Sequence, residues 1–236
     1  MVNLNYKTKK LLLLQRNDLL SNKQKFLRKK IGRFIFTNFL IHFFQNKHIE
    51  KNCSELFENE ISTIKDFLPN ELENIMDIGC GLGIINIFLN KIYHNSPNFY
   101  LLDKNHVDNK IKYGFSDNYE SYNDLNETRK ILLDNGIKDN RINIFNVDNN
   151  INIVKKIDLV ISLKSMGYHY PFEKYIFLFK ECCNKDTTFI FDIAADQYEA
   201  NFFKKYFDQV NVVYNEESIH PLKRLCCKEM KLLTKF

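Results

Sequence analysis

Asp77, Gly79, Gly81 and Gly83 stand at alternate positions in MDIGCGLG, between the short apolar run ENIM and a stretch with helical apolar spacing from Ile84. Glycines at the end of a strand let the backbone approach a ligand closely, because no Cβ obstructs it. A helix starting just behind them offers free N–H groups and the positive end of its dipole, so an anionic group, phosphate or carboxylate, belongs there. A dinucleotide fingerprint, G-x-G-x-x-G, would need its third glycine at position 84, where Ile84 stands. Further along, Asp103 and Asp148 each close an apolar run, and His169 lies in the loop SLKSMGYHYPFEKY between Tyr168 and Tyr170. A histidine titrates near neutral pH and can take a proton from a hydroxyl, so His169 is the candidate base; its plainer role is to cap or pack at a helix start.

These residues need a strand, helix, strand, helix frame, and the chain supplies one. Strands are predicted over 73–79, 98–103, 141–148, 156–163 and 187–194, with helices over 84–94, 122–135, from Pro171 and over 196–207; two closing strands follow at 209–215 and 222–230. Alternating strands and helices imply an α/β fold, a mostly parallel sheet with helices on both faces. Before it, residues 1–21 show no period and read as a loosely packed arm. A single helix is expected over 22–46, basic in its first half and apolar in its second. Another is expected from Ser54 as cap to Leu68, with Phe57, Ile61, Ile64 and Leu68 on one face and Pro69 ending it. The domain division expected is therefore 1–51, a basic N-terminal arm and helical extension, and 52–236, the ligand-binding domain.

Within that frame MDIGCGLG closely resembles the first motif of the class I S-adenosylmethionine-dependent methyltransferases, and the resemblance runs over about residues 52–230. It implies a Rossmann-like seven-stranded methyltransferase sheet, the last two strands forming the family's hairpin. It also implies S-adenosyl-L-methionine as cofactor, with Asp77 and the loop of Gly79, Cys80, Gly81 and Gly83 holding the methionine part. Asp103, at the end of strand two, would bind the ribose hydroxyls, which a carboxylate suits as a double acceptor; alternatively it caps a turn. Asp148 would lie near the adenine or merely start a loop, and Lys104 and Ser162 complete the expected cofactor set. The loop after strand four lacks the Asp/Asn-Pro-Pro-aromatic motif used on exocyclic base amines. Its segment KSMGYHYPFEKY, together with DKNHVDNKIKYGFSDNYESYN, resembles a bacterial group of sugar O-methyltransferases linked with surface glycans. The expected reaction is methyl transfer to a hydroxyl of a sugar or other small polar acceptor, in glycan or secondary metabolism. Tyr113, Lys164, Tyr168 and Tyr170 would contact the acceptor; packing or solvation is the plain alternative for each.

Charge and cysteine usage narrow the partners. Residues 1–50 hold eleven Lys and Arg against two Asp and Glu, a surplus of nine, so the net charge of +5 is an N-terminal property. Such a segment suits a phosphorylated acceptor, RNA or an anionic membrane surface, or is simply solvated. The alternatives carried are therefore an RNA methyltransferase using the basic N-terminus, and a non-catalytic methyltransferase-like partner protein. No stretch reaches the ~20 apolar residues needed to span a bilayer. The six cysteines form no CxxC and no His/Cys ligand spacing, which predicts reduced thiols, no metal and a cytoplasmic protein.

Overall fold

The computed structural model describes residues 1–43, 46–106, 123–167, 170–217 and 221–231. Seven strands form one sheet: β1 (Asn74–Ile78), β2 (Asn98–Asp103), β3 (Ile142–Asn146), β4 (Leu159–Ser162), β5 (Thr188–Ala194), β6 (Phe207–Glu216) and β7 (Leu222–Met230), in the order β3-β2-β1-β4-β5-β7-β6. The first five are parallel; β7 runs antiparallel between β5 and β6. This is the sheet expected from the sequence, with the C-terminal hairpin in place.

The period of two along the strands sorts their side chains onto two cores. Ile75, Phe99, Leu101, Leu159, Ile161 and Ile190 face one core; Met76, Ile78, Tyr100, Leu102, Val160, Phe189 and Phe191 face the other. The second core is closed by α7 (Ile176–Cys182) and by two 3-10 turns, Phe172–Tyr175 and Ala200–Lys205, with Phe172 ringed by Phe179, Phe191, Phe203 and Phe207. The turn Ala200–Lys205 stands where a helix over 196–207 was expected. The first core is covered by α5 (Ile84–Ile92) and α6 (Leu125–Asp134), and by the N-terminal helices.

Those N-terminal helices depart from expectation. Residues 6–15 form α1 (Tyr6–Gln15), capped by Asn5, whose side chain accepts from Thr8 N, and Leu11, Leu12, Leu13 and Leu14 are all buried. Burying a leucine is worth about 1.5–3 kcal/mol, so this segment is part of the first core and not a loose arm. The helix expected over 22–46 is two: α2 (Asn22–Ile31), started by a reciprocal Ser21–Gln24 capping box, and α3 (Arg33–Phe43). Gly32, at φ +89, breaks them apart with a backbone conformation that side chains other than glycine rarely adopt. Arg28 of α2 turns inward and donates to the carbonyls of Leu13 and Leu14, satisfying the open end of α1. The next helix, α4 (Asn46–Ser62), begins before Ser54. Ser54 is consequently no cap: its Oγ accepts from Val2 N at 3.0 Å and pins the start of the chain.

Candidate active site

The carboxyl ends of β1 and β2 meet at the glycine loop. Gly79 N and Cys80 N both donate to Leu102 O, at 2.7 and 3.2 Å, which holds the loop to β2. Gly79 and Gly81 take φ of +69 and +54. A Cβ on Gly79 would stand 1.8 Å from Ser165 Oγ, and one on Gly81 would stand 2.9 Å from Gln15 Oε1. Two polar side chains, one from the loop after β4 and one from the end of α1, thus lie directly on the glycine backbone.

Asp103 closes β2 and turns onto this loop. Its Oδ2 accepts from Gly81 N at 2.6 Å and its Oδ1 from Lys104 N at 2.7 Å. Burial raises its pKa to about 6, against the pull of those two backbone donors and of Lys104. On the far side of the loop, Gly81 O accepts from Asn123 Nδ2 at 2.9 Å and from Thr128 Oγ1 of α6 at 2.8 Å. Gln15 Nε2 donates to Asn123 Oδ1 at 3.3 Å, so α1, α6 and the glycine loop are joined through one asparagine.

Asp77 lies beneath, on the face covered by α5, and is buried. Asn86 Nδ2 in the first turn of α5 donates to its Oδ2 at 2.6 Å. Burial drives the Asp77 pKa to about 7; the Asn86 bond and Arg16 oppose this, and the neighbouring Asp103 adds to it. Burial also pushes the Cys80 thiol well up, so it is a protonated thiol in the loop, its Sγ 3.5 Å from Gly81 O.

The loop after β4 is fixed from below. Ser162 Oγ donates to Ile78 O at 2.7 Å and accepts from Met166 N at 2.9 Å, so its hydroxyl is spent on the backbone and faces the second core. Lys164 takes φ +61, unusual for a residue with a side chain, and its N–H donates to Asp192 Oδ2 at 2.9 Å. Asp192 is in turn gripped by Arg224 Nε and Nη2 at 2.7 and 2.9 Å; both side chains are buried, and Arg224 Nη1 also donates to Thr63 Oγ1 at 2.6 Å. Asp192 therefore positions the Lys164 turn. Lys164 Nζ reaches outward to Asp18 at 2.8 Å, which ties this loop to the N-terminal segment. Arg16, just beyond α1, pairs with Glu60 of α4 at 3.0 Å.

Of the residues predicted from the sequence, Asp77, Gly79, Cys80, Gly81, Gly83, Asp103 and Lys104 come together here. Lys164 and Tyr170 border them; Lys104 Nζ lies 5.9 Å from the Tyr170 ring centre. Asp148 does not end β3, which stops at Asn146; it is exposed in the turn beyond, its N–H donating to Asn146 Oδ1. His169, Tyr168 and Tyr113 lie outside the described residues. The sequence reading did not find Gln15, Asn86, Asn123, Thr128 or Ser165. No local pattern marks them, since each is placed by packing of an element distant in sequence or on another face. Among the described residues no group of His, Cys, Asp and Glu could hold a metal, and no helix is long and apolar enough to cross a membrane.

No protein-family model and no curated protein sequence matches the chain. Solved structures do. A precorrin-6y C5,15-methyltransferase from Geobacter metallireducens superposes with a TM-score of 0.50 at 14% identity, over 74% of this chain and 88% of that one. The S-adenosylmethionine-dependent methyltransferase SibL superposes at 0.50 and 12% identity, over 78% of this chain and 58% of its own. A protein of Nostoc punctiforme, provisionally assigned as an O-methyltransferase, superposes at 0.51 and 12%, over 76% of this chain and 58% of its own. At such identities the likeness is one of architecture, and it agrees with the strand order and with the glycine loop between β1 and α5. The chain has the fold of the class I S-adenosylmethionine-dependent methyltransferases.

Proposed function

We propose that the chain binds S-adenosyl-L-methionine and transfers its methyl group to a hydroxyl of a sugar or another small polar acceptor. The observation that carries the reading is the joint placement of Asp103 and the glycine loop at the carboxyl ends of β1 and β2, where open α/β sheets bind their ligands. The residues present fit that cofactor. Asp103 accepts two backbone N–H groups, and a carboxylate offers about four acceptor positions, which leaves capacity for a ribose diol. The glycine backbone at 79 and 81 admits polar groups to contact distance, as Ser165 and Gln15 demonstrate.

The cofactor, a sulfonium, supplies both the methyl group and its leaving group. This chain has to bind it, align the acceptor and take up a proton. Asp77, Gly79, Cys80, Gly81 and Gly83 would hold the methionine part and Asp103 the ribose hydroxyls, with Lys104 beside them. Ser162 would support the site through the Ile78 carbonyl and the turn at Met166. His169 would accept the hydroxyl proton, and Tyr113, Lys164, Tyr168 and Tyr170 would contact the acceptor.

The test is a transfer assay with methyl-labelled cofactor against free sugars, sugar nucleotides and RNA. Label in an alkali-stable ether on a sugar is the expected result. Label in RNA alone would replace the acceptor class, and no transfer to any hydroxyl would overturn the reading.

A further inference from the structure

Helices α2 and α3 present an outer surface of unusual composition. Phe26, Leu27, Ile31 and Ile35 are 62%, 41%, 38% and 67% exposed, and Phe39, one turn beyond Ile35, is 47% exposed. In α2, Phe26, Leu27 and Ile31 share one side of the helix with Lys23 and Lys30, since positions three and four apart lie on one face. The opposite side carries Arg28, which is buried against the end of α1. In α3 the division is similar: Phe36, Thr37, Leu40 and Ile41 are buried, while Ile35 and Phe39 face out. Both helices therefore have a satisfied inner face and an apolar outer one.

The charge around this surface has a single sign. Residues 19–49 contain seven Lys and Arg and no Asp or Glu. Lys23, Lys29 and Lys30 are exposed, and Lys30 Nζ lies 4.7 Å from the Phe26 ring centre, folded over the apolar patch. Long lysine stems can lie along apolar surface while their ammonium heads reach a charged plane.

We propose that α2 and α3 form a peripheral docking surface for anionic phospholipid bilayers. Phe26, Leu27, Ile31 and Ile35 would enter the headgroup–acyl boundary, and Lys23, Lys29 and Lys30 would meet the lipid phosphates. Only this partner satisfies both halves of the surface. RNA would neutralise the lysines but leave Leu27, Ile31 and Ile35 in water, because aliphatic side chains neither stack on bases nor bond to them. An acidic protein groove would need matching apolar pockets, whereas a bilayer requires only an apolar face rimmed by cations. The inference is independent of the methyl acceptor and holds for either acceptor class.

The experiment is flotation of the full chain with vesicles of phosphatidylcholine containing one third phosphatidylglycerol, beside vesicles of phosphatidylcholine alone. Three proteins are compared: wild type, Phe26→Ser/Ile35→Ser, and Lys23→Gln/Lys29→Gln/Lys30→Gln. All five substituted positions in these variants are on the surface, and matching thermal melts verify that the fold is kept. Wild type should float with the anionic vesicles. The serine variant should bind at least about tenfold more weakly per side chain removed, and the glutamine variant about fivefold per lysine. Wild type left at the bottom of the gradient with anionic vesicles would overturn the proposal. So would flotation that the serine variant shares in full, since the apolar face would then play no part. Salt-sensitive binding to RNA without any flotation would assign the surface to nucleic acid and overturn it equally.

Discussion

Asp103→Asn separates cofactor binding from folding. The carboxylate accepts Gly81 N–H and Lys104 N–H at 2.6 and 2.7 Å. Asparagine keeps the shape but offers one acceptor oxygen, so one charge-assisted bond to the ribose is lost; such bonds are worth about 1.5–3 kcal/mol, or roughly 10- to 150-fold in affinity. Stability should move little, because two effects oppose. Burial raises the Asp103 pKa from 3.8 to about 6. A raised carboxylate pKa favours the folded state below the unfolded value, and that contribution is lost as pH rises through 6. Above pH 6 the buried charge therefore takes away at most ~3 kcal/mol, which asparagine restores, while one backbone N–H left without an acceptor costs about 1–3 kcal/mol. Calorimetric titration with S-adenosylhomocysteine at pH 8, alongside thermal melts, measures both. Wild-type affinity should also fall about tenfold from pH 7 to pH 5 as Asp103 protonates, and the variant should be flat over that range. An unchanged dissociation constant in the variant, or equal pH profiles, would refute the ribose role of Asp103.

Gly79→Ala should lower stability by about 1–3 kcal/mol, since the new Cβ meets Ser165 Oγ at 1.8 Å and φ is +69; a melt within 1 °C of wild type would contradict the close contact. Arg224→Met leaves Asp192 buried without its bidentate partner and should cost about 3–5 kcal/mol. Adding Asp192→Asn should recover part of that cost, and equal stabilities for the single and double variants would disprove the coupling. His169→Ala should reduce turnover by about 10²- to 10⁴-fold with cofactor affinity retained, and full turnover would remove His169 as the base.

The strands and the glycine loop were legible because their signals are local. Ile75 and Met76, or Phe99 and Tyr100, alternate between two cores, and the alternation is written along the chain. The N-terminal helix was not legible for a physical reason: Leu11, Leu12, Leu13 and Leu14 are buried on every side, so the run has no polar face and no period. Gly32 sits between two stretches that each read as helix, and only its φ of +89 reveals the break. In the site, Asp77 and Asp103 could be read because one lies in β1 just before the glycines and the other ends β2. Gln15, Asn123, Thr128 and Ser165 could not, because tertiary packing carries them to Gly79 and Gly81 from distant elements. Ser162 and Asp148 were assigned to the cofactor by position along the chain, yet one spends its hydroxyl on two backbone groups and the other stands exposed beyond β3.

The most direct test of the central claim is calorimetric titration of the purified chain with S-adenosylmethionine and S-adenosylhomocysteine, with NAD as control. Micromolar binding of the first two and none of NAD is the predicted result. Binding of NAD, or of none of the three, would contradict the assignment of the glycine loop and Asp103 to this cofactor.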